Sequence, residues 1–346
     1  MEAKRNTLTR NQPRPPRDSL DFRVAIICAL PLEASAVGEL FDTQCTTKYA
    51  KVPGDSNAYS TGAIGPHNVV LVHMPNMGKV AAATAAAGLR ATFPGIQLAL
   101  VVGICGGVPS AKQSKRDILL GDVVISEGLV QYDFGRQYPD NRFLRKDSAR
   151  DNLPRPRPDI RSVLAKLQTE SGKDQLQEQT SEHLKVLQHR LSRGLVYPGA
   201  SEDRLFRSGY QHRHHRYSQC DICANHGTCD ESIDKDCQEL GCSELELVSR
   251  THQSLSFMPE VHLGLFASGD TVMKSGDARD EIATRDGVLA FEMEGAGIWE
   301  AFPTVLIIKG VCDYADSHKN KKWQAYAAAT AASAAKAFLE DWRTGA

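Results

Sequence analysis

Two short apolar runs in the last third of the chain end in acids, and this pattern limits most strongly what the chain can fold into. Leu289, Ala290 and Phe291 lead into Glu292-Met293-Glu294-Gly295-Ala296, and residues 305–308 lead toward Val311-Cys312-Asp313-Tyr314-Ala315-Asp316. Runs of this length read as buried strands. A carboxylate at the end of a buried strand is either paired or engaged in chemistry. The pattern has a counterpart near the start: residues 22–30 form an apolar run, Pro31 breaks it, and residues 32–40 follow at helical spacing, which puts Glu33 just beyond a strand. Residues 69–72, 98–102, 122–126 and 261–266 are further expected strands, the second of these ending in Gly103-Ile104-Cys105-Gly106-Gly107. Gly78-Lys79-Val80 opens an Ala-rich helix to about residue 90, and residues 323–342 have good helix propensity throughout. Strands alternating with helices predict an α/β fold with a largely parallel sheet, in which sites collect at the carboxyl ends of strands.

Composition narrows the function. With 346 residues, 41% of them hydrophobic, the chain can form one large domain or two small ones. A net charge of -1 carries no polyelectrolyte signature, so no nucleic-acid partner is expected. No apolar run is long enough for a membrane span. The Arg/Pro-rich start lacks the apolar core of a secretory signal, so residues 1–21 read as a disordered tail and the expected compartment is the reducing cytoplasm. Cys28, Cys105 and Cys312, in apolar segments, read as reduced thiols. Between about 140 and 258 the texture becomes polar, with a helical pattern over 159–191 and a Cys/His-rich stretch after 201; this reads as an insertion within one domain spanning 22–342.

Inside that insertion, Cys220-x2-Cys223 and Cys237-x4-Cys242 have knuckle-like spacing for one tetrahedral zinc, with Cys229, His212, His214, His215 and His226 close by. A structural ion of this kind explains how a segment poor in apolar residues becomes ordered. Free surface thiols, or disulfides in an exported chain, are the alternatives.

Seven ordered motifs carry a resemblance: Ala29-Leu-Pro-Leu-Glu33, Met77-Gly78-Lys79-Val80, Gly103-Ile-Cys-Gly-Gly107, Leu120-Gly-Asp-Val-Val-Ile-Ser126, Ser268-Gly269-Asp270, Glu292-Met-Glu294-Gly-Ala and Cys312-Asp313-Tyr-Ala-Asp316. Through them the chain resembles the nucleoside phosphorylase and nucleosidase superfamily. It is most similar to the methylthioadenosine/S-adenosylhomocysteine nucleosidase branch and to fungal phosphorylase-like domains. The resemblance implies a three-layer α/β/α fold with a central mixed sheet, catalysis without a cofactor, and a homodimer, since Asp133 and Phe134 resemble interface residues.

It also implies chemistry on a purine nucleoside or nucleotide. Splitting the base from the sugar needs an acid near purine N7, negative charge and hydrogen bonds around a ribose that gains cationic character, and a nucleophile held at the anomeric carbon. By position, Glu294 binds the ribose hydroxyls with Met293 against the sugar, Asp313 donates to N7, and Glu33 orients water. Gly103, Ile104, Cys105, Gly106 and Glu292 border the substrate, Ile104 standing where the family often has Ser or Thr; Val272 and Met273 face the base. Plainer readings are a helix-packing role for Glu292, a helix cap for Asp316, a turn for Asp122 and a solvated first-turn acid for Glu33.

Hydrolysis is expected over phosphorolysis, because no Arg stands in residues 30–36 or just before Gly103 and a carboxylate at Glu33 repels phosphate. A phosphorylase and a non-catalytic nucleotide sensor are the alternatives. A dinucleotide loop is disfavoured, since Gly103-x-x-Gly106-Gly107 lacks the Gly-x-Gly-x-x-Gly spacing. The basic residues Arg204, Arg207, Lys274 and the runs 212–216 and 318–322 leave open a 5′-phosphorylated substrate.

Overall fold

The computed structural model describes residues 13–110, 117–140, 142–191, 195–215, 220–225, 227–250, 258–302 and 304–343. Residues 1–12 of the expected tail, Arg216 and His226 lie outside them. The strands are β1 (Val24–Cys28), β2 (Thr43–Gln44), β3 (Ala58–Ile64), β4 (His67–His73), β5 (Leu98–Gly107), β6 (Val123–Gln131), β7 (Gly135–Gln137), β8 (Phe143–Arg145), β9 (Val261–Ser268), β10 (Val288–Glu292) and β11 (Val305–Asp313). The helices are α1 (Pro31–Glu39), α2 (Lys79–Thr92), α3 (Pro158–Leu167), α4 (Glu170–Arg190), α5 (Asp221–Ala224), α6 (Asp230–Asp234), α7 (Cys237–Leu240), α8 (Gly276–Asp286), α9 (Gly295–Trp299) and α10 (Gln324–Asp341).

Nine strands form one mixed sheet in the order β10-β9-β6-β11-β5-β1-β4-β3-β2. β1 lies parallel to both β4 and β5, and β11 runs parallel to β5 but antiparallel to β6. β10 returns to pair antiparallel with β5, so β5, β11, β6, β9 and β10 close a circuit. All five residues of β1 are buried, as are all five of β10, which is why these strands read as continuous apolar runs. The closure has one consequence for function. Gly106 of β5 is opposite Phe291 of β10 on one side and opposite Asp313 of β11 on the other. Neighbouring strands lie about 4.8 Å apart, so residues that are distant in sequence arrive on either side of one glycine.

Helix packing fixes that geometry. From Tyr326 to Leu339 every residue of α10 is buried, between the sheet and helices α1 and α4. Small side chains allow this: a Cβ on Gly310 of β11 would stand 1.9 Å from the Ala327 carbonyl, so only glycine lets α10 lie directly on the strand. Lys336, buried on the same helix, donates to the Leu40 carbonyl and pairs with Asp42.

The stretch from about 140 to 258 has two parts. The helical pattern of 159–191 divides into α3 and α4, because Thr169 caps α4 by accepting from the Gly172 amide at 3.1 Å. α4 packs along α10 and is tied to it by His183–Glu340, while Lys166 of α3 pairs with Asp341 of α10. After residue 200 the chain forms short helices α5, α6 and α7 of four or five residues each. Segments 205–207 and 246–248 run together through the Phe206–Leu247 bridge and close this excursion at its base.

Candidate active site

Glu33 sits in the first turn of α1, directly after β1, because Pro31 fixes the helix start. Its Oε2 accepts from the amides of Ala29 and Leu30, both at 2.9 Å, and its Oε1 accepts from the Ile104 amide at 2.8 Å. Only 2% of Glu33 is exposed, so the reading of a solvated acid does not hold: the carboxylate is driven against β5. A Cβ on Gly103 would lie 2.1 Å from Oε1, which makes glycine a requirement there. Burial raises the Glu33 carboxyl, Lys309 opposes this, and Glu294 adds to it.

Glu292 ends β10 and Glu294 precedes α9. Glu292 Oε2 accepts from the amides of Glu294 (3.0 Å) and Gly295 (2.8 Å), so it organises the start of α9, in keeping with a packing role. Burial raises its carboxyl, against the pull of Lys309. Glu294 pairs with Lys309 Nζ at 2.9 Å, the two side chains being 5% and 1% exposed. Its other oxygen faces the Gly78 amide at 3.5 Å, at the entrance to α2.

Lys309 is the residue sequence reasoning missed. It is opposite Gly103 on β11, one strand from Glu33. Burial alone would lower its ammonium, but Glu294, Glu33 and Glu292 together override this and raise it. A signal was available: Lys309 stands between Ile308 and Gly310 inside an otherwise apolar strand.

Asp313 ends the same strand. Its Oδ1 accepts from the Ala315 amide at 2.8 Å and pairs with Lys319 Nζ at 2.6 Å, and Cys312 Sγ lies 3.3 Å from Oδ2. A Cβ on Gly106 would meet Oδ1 at 2.8 Å. Ala315, with φ at 51°, occupies the left-handed region and turns the chain sharply past Asp313. Asp316 is not the cap of the next helix, which starts only at Gln324; it is buried and accepts from the His318 amide at 2.9 Å. Burial pushes its carboxyl up to about 6. Asp122 is likewise more than a turn residue, for it is buried and holds the amides of Leu119 and Glu260 and the ring of His262.

Glu33, Glu294 and Asp313 therefore meet around residues 103–106. Glu33 touches Gly103 and Ile104, Glu294 follows the strand opposite Gly106, and Asp313 touches Gly106 from the other neighbour. Cys105 is buried between them, and burial raises its thiol strongly, with Asp313 and Glu292 adding to the effect and Lys309 opposing it. Ile104 and Met293 are half-buried. Val272 and Met273 lie in the loop after β9, Val272 45% exposed and Met273 packed against the core. Four of the basic residues read as phosphate contacts pair with acids: Lys319 with Asp313, Lys322 with Glu202, Arg204 with Glu244 and Arg207 with Glu246.

The cysteines of the insertion do not converge on one point. Cys220 and Cys223 group with Cys229 and His214, whereas Cys237 and Cys242 group with His212. His214 Nδ1 faces the thiols of Cys223 and Cys229 and His212 Nδ1 those of Cys237 and Cys242, while Arg213 between them donates to the Cys223 carbonyl. Among the described residues, no helix is long and apolar enough to cross a membrane.

The family model for the phosphorylase superfamily matches residues 23–201, slightly more than half the chain. A nucleotide-binding leucine-rich repeat (NLR)-like protein of Hyaloscypha variabilis is 32% identical over 333 residues, covering 94% of this chain and 30% of that protein. The chain thus spans about 30% of the length of this relative. Among solved structures, the Streptococcus pneumoniae MTA/SAH nucleosidase in complex with 8-aminoadenine is similar at a TM-score of 0.53 and 22% identity, over 93% of this chain and 100% of that one. Futalosine hydrolase of Helicobacter pylori is similar at a TM-score of 0.55 and 16% identity, over 93% and 99%. The S-adenosylhomocysteine nucleosidase of Streptococcus pyogenes is similar at 0.54 and 20%, over 94% and 98%. At these identities the likeness establishes the fold, and with the family match and the mixed sheet it leads to one conclusion: the chain belongs to the phosphorylase superfamily.

Proposed function

We propose that this chain hydrolyses the bond between base and ribose in a purine nucleoside or nucleotide. The observation that carries the reading is the meeting of Glu33, Glu294 and Asp313 around residues 103–106. The similarity to nucleosidases, one of them in complex with 8-aminoadenine, supports a purine as the base.

In this reading Asp313 protonates the base near N7, a step of general acid catalysis worth about 10²–10⁴-fold. Lys319, 2.6 Å from its Oδ1, fixes which oxygen remains available. Glu294 binds the ribose hydroxyls beside Met293, and Lys309 holds its orientation through the opposite oxygen. Glu33 orients the water. Its Oε1 uses one acceptor position on the Ile104 amide and retains another. The carboxylates of Glu33, Glu292, Glu294 and Asp313 against the ammoniums of Lys309 and Lys319 give the site the sign that a developing ribosyl cation needs. The same sign disfavours a phosphate dianion as nucleophile and supports hydrolysis over phosphorolysis. No step is assigned to a cofactor or metal.

A homodimer in the cytoplasm belongs to the same proposal. Met77, Val80 and Phe134 are 50%, 77% and 39% exposed and flank the Lys79–Asp133 pair, an apolar surface suited to a second copy.

The similarity to an NLR-like protein favours a second reading, a module that binds a nucleotide without cleaving it. Incubation with adenosine, inosine, guanosine, AMP and ATP, with and without phosphate, separates the possibilities. Free base without added phosphate is the expected result. Base release only with phosphate identifies a phosphorylase, and binding without release identifies a sensor.

A further inference from the structure

The Cys/His segment contains two groups of metal-ligand side chains, each with its ligand atoms close together. In the outer group, His214, Cys220, Cys223 and Cys229 place four ligand atoms within 4.8 Å of one another, and His214 Nδ1 lies 3.5 Å from Sγ of both Cys223 and Cys229. In the inner group, His212 Nδ1 lies 3.6 Å from Cys237 Sγ and 3.7 Å from Cys242 Sγ. Tetrahedral zinc, with Zn–S near 2.3 Å and Zn–N near 2.05 Å, separates a thiolate from an imidazole nitrogen by about 3.6 Å. All four separations fit that value.

The surroundings point the same way. His212 Nε2 lies 2.8 Å from the Lys235 carbonyl, a bond that fixes the proton there and turns Nδ1, with its lone pair, toward the thiols. Helices α5, α6 and α7 are too short to be stable alone. Their buried side chains include Cys223, Cys229 and Leu240, little apolar surface for the number of residues ordered. Pairing the three outer thiols as a disulfide would leave one cysteine over. The inner group also touches the active-site loop. The His212 amide donates to Ser317 Oγ at 2.9 Å, and the His212 ring stands edge-on to His318, with centroids 5.4 Å apart. His318 in turn stacks on Phe206 and Tyr210. Ser317 and His318 follow Asp313 and Asp316 and precede Lys319.

We propose that the segment binds two zinc ions in separate sites, an outer Cys3His site (His214, Cys220, Cys223, Cys229) and an inner site (His212, Cys237, Cys242), and that the inner ion anchors the loop carrying Asp313 and Lys319. The inner site has a fourth tetrahedral position beyond its three described ligands, available to solvent or to a further side chain. Neither ion takes part in the cleavage chemistry, so the metal count stands or falls independently of base release.

Elemental analysis of the full chain, expressed with zinc and purified without chelator, tests this directly. Two equivalents per chain are expected; one or none overturns the two-site assignment, as does a Cys237–Cys242 disulfide in protein purified without reductant. Cys223→Ser should remove one equivalent and Cys242→Ser the other, leaving the complementary ion in place. Hydrogen exchange then reads the coupling. The amides of Ala315 and His318 should exchange at least tenfold faster in Cys242→Ser and at the wild-type rate in Cys223→Ser. Equal exchange in both variants contradicts the anchoring role. If either variant fails to fold, wild-type protein stripped of the more labile ion by limited chelation provides the same exchange comparison, with the same two outcomes.

Discussion

The carboxylate cluster at the end of β5 and the Cys/His segment that leans on it are both rich in buried polar groups, but they are built by different forces. In the cluster, Glu33, Glu292, Glu294 and Lys309 are enclosed by buried, mostly apolar strands, and backbone amides or the lysine partner each acid. Hydrophobic burial forms the frame, and the charges are matched within it. In the Cys/His segment the apolar frame is small, with Leu205, Phe206 and Leu240 buried, and His212, Cys223 and Cys229 are buried beside it. The first region should therefore be sensitive to removal of one charge and indifferent to chelation; the second should behave in the opposite way.

The sharpest test of this contrast is Lys309→Met. Removing one partner from a buried ion pair typically costs about 3–5 kcal/mol, because an uncompensated charge remains. Denaturant unfolding at neutral pH should show a loss of that size; a change below about 1 kcal/mol would mean that the cluster is not matched as described. Glu294→Ala should be destabilising for the same reason, whereas Glu294→Gln keeps an acceptor for Lys309 and separates loss of turnover from loss of fold.

A smaller effect follows from Asp316. Its carboxyl rises from 3.8 to about 6 on folding, so the folded chain binds this proton more tightly than the unfolded chain. The resulting stability is fully present below about pH 4 and is lost as the pH rises through about 6, an effect of about 3 kcal/mol. Glu33 and Glu292, also raised by burial, act in the same direction. Unfolding curves of wild type and Asp316→Asn, compared across this range, should diverge by up to that amount; parallel curves contradict the burial of Asp316.

The smallest effect belongs to the other region. Asp236 and Glu239 form a capping box at α7, and Asp236→Ala should cost about 1 kcal/mol. If metal ligands rather than helix propensity order this segment, the zinc content will not change. Loss of an ion on removing the cap would show instead that the helix preforms the site.

Much of this was legible in the sequence, for identifiable reasons. Glu33, Glu294 and Asp313 announced themselves because each follows an apolar strand. Lys309 carried a related signal, a charge inside a strand, but the run from 305 was read only as leading to Asp313. That the acids meet depends on β10 closing back on β5, and the registers Phe291–Gly106 and Asp313–Gly106 are long-range pairings that no local pattern encodes. The division of the cysteines was hidden for a similar reason. Spacing suggested a single site from Cys220, Cys223, Cys237 and Cys242, whereas the selection is made by His212 and His214, whose imidazoles face different thiols. The α3–α4 break was visible only through one threonine cap.

Base release from a purine nucleoside by wild type and by Asp313→Asn, in buffer free of phosphate, bears most directly on the role of the residues around Gly106. Wild type should liberate free purine, and Asp313→Asn, with its fold intact, should be slower by about 10²–10⁴-fold. Equal rates in the two proteins, or binding without release by wild type, would contradict catalysis by this cluster.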